Sequence, residues 1–127
     1  MRLILVRHAE ASPGEPDDLR PLTPAGRDAA RALGERLAPL DPDAVLSSPL
    51  LRARETAQPI AAAAGVEAET DERLAPGASA DDLRAAVAGK GNIVVAVGHQ
   101  PDCSQIVFEV SGRAVDFPPG AAEVLEL

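Results

Sequence analysis

The chain has two histidines in 127 residues, and each stands directly after an apolar run. Arg7-His8 follows Leu3-Ile4-Leu5-Val6, and Gly98-His99 follows Ile93-Val94-Val95-Ala96-Val97. Short β-branched and aliphatic runs read as buried strands. A strand ending in Arg-His puts a cation and a potential nucleophile at its carboxyl end, where open α/β sheets bind ligands. A neutral imidazole nitrogen can accept a phosphoryl group. Arginine offers a planar fork of donors matched to phosphate oxygens. If the two runs are parallel neighbours, both histidines meet at one rim. The plain alternative is a pair of strand-end histidines facing solvent or satisfied by their own turns.

A third segment points to the same rim. Ala44-Val45-Leu46-Ser47 reads as a short strand, and Ser48-Pro49 as a cap followed by proline at a helix start. Helix N-termini attract anions through free N–H groups and the macrodipole. Arg52, in the first turn, can reach such an anion. Arg54 lies about 200° around the helix from Arg52 and is expected to face solvent or Glu55 and its neighbours. Taken alone, this is a capped amphipathic helix with surface arginines. His99 would be a second phosphate ligand, donating to developing negative charge, with the main-chain N–H of Gln100 a further donor. His8 must be neutral to attack, and Arg7, Arg52 and His99 around it should lower its pKa.

The elements that position these residues alternate. Leu3–Val6 is the first strand, followed by a polar, Pro-rich loop from Ala11 to Leu22. Thr23-Pro24 starts a helix to about Leu37, with Ala30, Leu33, Leu37 and Leu40 on one face and Pro39 and Pro42 stopping it. The second helix spans roughly Leu50 to Ala64 and is ended by Gly65, with a kink or break expected at Pro59. Val66–Glu69 reads as a weak edge strand, Asp81–Ala88 as a short helix, 93–97 as a strong strand, Asp102 to Val110 as a helix and Ala122–Leu127 as a final strand. Strand–helix alternation predicts a three-layer α/β/α arrangement with a mostly parallel central sheet. Length and the lack of a linker predict one domain over residues 1–127.

Composition narrows the function classes. The formal charge of −8 argues against a nucleic-acid partner, and no basic cluster suggests a membrane surface. The core must be aliphatic, because Phe108 and Phe117 are the only aromatics. Cys103, the single cysteine, reads as a small core residue. Met1-Arg2 leads straight into a strand, so no signal peptide is expected and a cytoplasmic location is the default. Two histidines and one cysteine far apart give no metal-ligand spacing, and no P-loop or G-x-S-x-G elbow occurs. No metal or cofactor is expected.

Leu5-Val6-Arg7-His8-Ala9-Glu10, Ser48-Pro49-Leu50-Leu51-Arg52-Ala53 and Gly98-His99 together resemble the histidine phosphatase superfamily, with its phosphoglycerate mutase-like fold. Arg20-Pro21-Leu22-Thr23-Pro24-Ala25-Gly26 and Leu74-Ala75-Pro76-Gly77-Ala78 resemble its small SixA-type phosphohistidine phosphatases. The resemblance implies that His8 is the nucleophile, forming a phosphohistidine intermediate, and that Arg7, Arg52 and His99 hold the phosphoryl group. It adds Arg20, with Gln100, as substrate-binding residues. Two departures stand out. Ala9 follows the histidine where many members have glycine. The stretch from Glu69 to Asp82 is short where larger members carry a general-acid glutamate, which leaves Glu72, Glu10 and Asp81 as candidates. A missing strong acid matters less for a P–N bond, because imidazole leaves more readily than an alkoxide. The expected partner is a phosphorylated protein or a small phosphorylated substrate. Three readings follow: a phosphatase acting on protein phosphohistidine, one acting on a small phosphoester or phosphoanhydride, and a non-catalytic phosphate-binding module.

Overall fold

The structure is a computed structural model that describes residues 1–127. Five strands form one sheet: β1 (Arg2–Arg7), β2 (Ala44–Ser47), β3 (Ala68–Thr70), β4 (Ile93–Gly98) and β5 (Ala122–Glu126). The spatial order is β3-β2-β4-β1-β5. Neighbours among the first four run parallel, and β5 closes the edge antiparallel to β1. Four helices accompany the sheet: α1 (Pro24–Leu37), α2 (Leu51–Ala64), α3 (Ala80–Val87) and α4 (Asp102–Ser111).

The continuous apolar runs of β1 and β4 are what a strand covered on both faces requires. Alternate residues face opposite layers. Ile4, Val6, Val95 and Val97 pack with Leu33 and Leu37 of α1 and Ala53, Ala57 and Ile60 of α2. Leu3, Leu5, Val94 and Ala96 pack with Leu83 and Ala86 of α3 and Cys103, Ile106 and Val107 of α4. This is the three-layer α/β/α arrangement. No helix is long and apolar enough to cross a membrane.

Local signals explain most boundaries. Thr23 caps α1 by accepting the N–H of Gly26 at 2.9 Å, with Pro24 in the first turn. Ser79 and Asp82 form a reciprocal capping box that starts α3 at Ala80. Gly65 ends α2 in the left-handed region, at φ 75°.

Four expectations are corrected. Pro59 neither ends nor splits α2, which runs unbroken from Leu51 to Ala64. Packing against α1 holds it there: a Cβ on Gly34 of α1 would lie 2.8 Å from the Pro59 carbonyl oxygen, so the two backbones touch at that point. Leu40 leaves the apolar face of α1, because the chain tightens into a 3-10 turn over Ala38–Leu40 and exposes it. The edge strand starts at Ala68, not Val66. Ser48 is not the cap of α2: Leu50 takes that position, and the Ser48 hydroxyl accepts the Leu50 N–H at 3.2 Å.

Candidate active site

Register assembles the site before any side chain is considered. In the β1–β4 pair Arg7 lies opposite Gly98, so His8 and His99 leave adjacent strand ends together. The His8 N–H continues the ladder to the Gly98 carbonyl at 3.1 Å. In the β2–β4 pair Ser47 lies opposite Val97, and the Ser48 N–H reaches the Val97 carbonyl at 3.0 Å. From β1 the chain crosses over β4 to β2, and from β4 it crosses over β1 to β5. The two histidines therefore sit where connections leave in opposite directions, the crevice where α/β sheets bind ligands.

A cavity of about 330 Å³ opens at this rim, and Arg7, His8, Arg20, Arg52, His99 and Gln100 are in its wall, with Glu10, Ala11, Pro76 and Pro119. The imidazole centroids are 5.2 Å apart. His8 (8% exposed), Arg52 (6%) and His99 (3%) are buried for such polar groups.

His8 Nδ1 is 2.8 Å from the Ala9 carbonyl oxygen, which can only accept. Neutral His8 thus carries its proton on Nδ1 and keeps a lone pair on Nε2. The Ala9 N–H is held by Thr56 Oγ1 at 3.0 Å, and that hydroxyl donates to the Arg52 carbonyl at 2.8 Å. Thr56 therefore ties the turn after the nucleophile to the helix carrying Arg52. Burial above all, with Arg52, Arg7 and Arg20 adding to it, lowers the pKa of His8 to about 4, against a raising effect of the Ala9 carbonyl. The expected direction holds, but desolvation outweighs the charged neighbours. His99 is lowered to about 4 by burial first and by His8 and Arg52 next.

The arginines are anchored at one end. Arg7 Nη1 donates to the Phe117 carbonyl at 2.9 Å. Arg52 Nη1 donates to the Asp17 carbonyl at 2.8 Å, and Nη2 lies 3.2 Å from Asp17 Oδ2. Arg20 Nε takes Asp17 Oδ1 at 2.9 Å, and its Nη1 takes the Ser12 carbonyl at 3.2 Å. Three buried side-chain nitrogens have no partner in the protein: Arg7 Nε, Arg52 Nε and His99 Nδ1. All belong to residues of this one wall. Unpaired buried polar atoms are costly, and their grouping in residues of one wall fits an anionic ligand.

Other candidates are sorted by the same geometry. The Gln100 side chain is tied to Ser104, with its Nε2 2.7 Å from Ser104 Oγ and its Oε1 accepting the Ser104 N–H at 2.9 Å. Glu10 reaches the wall, but its Oε1 accepts the Thr23 hydroxyl at 2.8 Å. Glu72 and Asp81 are corrections: both are exposed and outside the cavity wall, and Asp81 pairs with Arg84 at 3.4 Å. Arg54 is exposed and donates to the Pro49 carbonyl at 3.0 Å, while Glu55 accepts the Leu22 N–H at 2.8 Å. From α2 the wall receives Arg52; Leu51 lines another hollow, beside Ser47 and Thr70. Cys103 is buried, its thiol pushed up to about 12 by burial, as a core residue should be. No group of three or more His, Cys, Asp or Glu is placed to hold a metal ion.

Asp17, Thr56 and Ser48 are the residues that sequence reasoning missed. The Asp17–Arg20 spacing, three apart, and the Arg52–Thr56 spacing, four apart, were the available signals.

The family model "Histidine phosphatase superfamily (branch 1)" matches residues 3–76. An uncharacterized protein of Picosynechococcus sp. is 36% identical, over 92% of this chain and 79% of its own. The protein histidine phosphatase SixA, solved with tungstate, superposes with a TM-score of 0.87 at 26% identity, covering 100% of this chain and 88% of the other. A SixA structure from Agrobacterium tumefaciens gives a TM-score of 0.82 at 28% identity, covering 98% and 90%. The chain belongs to the histidine phosphatase superfamily, branch 1, as a SixA-type member with the phosphoglycerate mutase-like fold, and it is a phosphatase.

Proposed function

We propose that the protein removes phosphoryl groups from phosphohistidine on other proteins, by way of a covalent intermediate on His8. The observation that carries this reading is the set of unpartnered buried nitrogens on Arg7, Arg52 and His99 beside a neutral His8. Phosphoryl transfer mainly requires in-line positioning and stabilisation of the equatorial oxygens. Arg7, Arg52 and His99 supply donors for those oxygens, with Arg20 and the Gln100 main chain at the wall. His8 Nε2 attacks phosphorus, and the P–N bond to the substrate imidazole breaks. The departing imidazole takes a proton from solvent. Water then attacks the phosphorus on His8, the P–Nε2 bond breaks, and inorganic phosphate leaves with the neutral histidine restored.

Two points support phosphohistidine over an ester. Glu10 is the one carboxylate side chain in the wall, and it already accepts a hydroxyl. A poorly supplied acid suits a leaving group as good as imidazole. The SixA solved with tungstate, itself a protein histidine phosphatase, matches this chain over its whole length.

The test is phosphate release, with EDTA present, by wild type and His8→Ala from a phosphohistidine protein and a panel of phosphoesters. Wild type is expected to prefer the P–N substrate, and His8→Ala to fall to background while keeping its fold. Preference for one ester would keep the mechanism and move the substrate to small molecules. Release that survives in His8→Ala would sink the mechanism.

A further inference from the structure

Ser48 is fully buried, and its hydroxyl has two neighbours. Oγ accepts the Leu50 N–H at 3.2 Å and lies 2.8 Å from His99 Nε2. We propose that Ser48 is a positioning residue that fixes the proton of neutral His99 on Nδ1, so that this nitrogen presents an N–H donor to the phosphoryl group. The proposal rests on the reading above, in which His99 is a phosphoryl ligand.

A serine hydroxyl has one hydrogen to give and can accept two. The Leu50 N–H can only donate, so it occupies a lone pair of Oγ. If His99 also donated from Nε2, Oγ would accept twice and its own hydrogen would be left without an acceptor inside the protein, a costly outcome. If instead Ser48 donates to Nε2, the hydroxyl and Nε2 are both satisfied, the imidazole proton must sit on Nδ1, and that N–H is the one group left for a ligand. His99 is held neutral by burial and by the positive groups around it, so it has one donor and one acceptor nitrogen to distribute. Nδ1 is the nitrogen with no protein partner. A bare lone pair there would repel phosphoryl oxygens, whereas an N–H attracts them.

Capping does not account for this serine. Leu50 holds the cap position of α2, and the 3.2 Å bond to its N–H uses only one lone pair of the hydroxyl. What brings Ser48 to the imidazole is the pairing of Ser47 with Val97 across β2 and β4. This is how an outer residue sets the tautomer of an inner one.

The experiment is long-range proton–nitrogen NMR on the free protein, labelled at the imidazole nitrogens, at pH 7. Wild-type His99 is expected to show a protonated Nδ1 and a bare Nε2. Ser48→Ala should shift population toward the Nε2–H form, and kcat should fall on the order of tenfold, with KM moving less. Ser48→Thr, which keeps the hydroxyl, should restore the tautomer and the rate. A proton on Nε2 in wild type, or a Ser48→Ala protein that keeps the Nδ1–H form, overturns the role of Ser48. The wild-type spectrum needs no variant to fold and no turnover. If His99→Ala leaves phosphate release unchanged, the proposal falls with the site assignment instead.

Discussion

At the scale of single residues, the lone pair on His8 Nε2 is available across a wide pH range because burial dominates its ionisation. The rate consequence has a definite sign. Protonation removes the nucleophile, so kcat/KM should be flat from neutral pH down to roughly 5 and fall as pH approaches the free-enzyme value of about 4. A decline centred near the ordinary 6.5 would mean that His8 is solvated. The stability consequence runs the same way. A folded-state pKa below the unfolded one means that the unfolded chain binds more protons between the two values. The contribution is full above about 6.5 and is lost as pH falls toward about 4. In urea unfolding between pH 7 and 5, wild type should lose more stability than His8→Gln. Equal losses would remove the burial account.

Asp17 shows what an element can do that its sequence does not announce. It sits in a 3-10 turn, Asp17–Leu19, within the loop after β1, and its carboxylate bridges Arg52 and Arg20. The hydrogen bond from Arg20, ahead of the attraction of Arg52, holds its pKa below the usual carboxylate range. That negative charge opposes an incoming phosphoryl dianion. Asp17→Asn keeps the main-chain carbonyl that receives Arg52 Nη1 and removes the charge. Competitive inhibition by inorganic phosphate should therefore tighten several-fold; unchanged or weaker inhibition would show that the carboxylate serves to orient Arg52. The strand-end histidines were legible because a short apolar run followed by Arg-His or Gly-His is a local pattern. The links of Asp17 to Arg52 and of Ser48 to His99 were not, since those pairs are 35 and 51 residues apart and only strand register and loop closure bring them together. Glu72 and Asp81 were misplaced for the converse reason: the right residue type in the right stretch does not say which way a turn faces. Pro59 was misread because tertiary packing outweighed a local rule.

For the molecule as a whole, a chain of net charge −8 concentrates Arg7, Arg20 and Arg52 in one small wall, and the aliphatic core must hold that wall rigid. Phe117 joins the two tasks. It is the largest fully buried side chain, packed in the cluster that contains Leu3, Leu5, Ile106 and Leu125, and its carbonyl receives Arg7 Nη1. Truncating a buried phenylalanine to alanine typically costs about 3–5 kcal/mol. That is a large fraction of the roughly 5–15 kcal/mol that holds a small domain together. Phe117→Ala should therefore lower the urea midpoint markedly by far-UV circular dichroism, the chain having no Trp or Tyr to report. Turnover should fall as well under conditions where the variant remains folded, because the segment carrying the Phe117 carbonyl relaxes and frees Arg7. Phe117→Leu fills most of the space and should lose less stability with near-normal turnover. Normal turnover in folded Phe117→Ala would mean that the Arg7 anchor does not depend on the core beneath it. Loss of turnover without loss of stability would place Phe117 in the site and not under it.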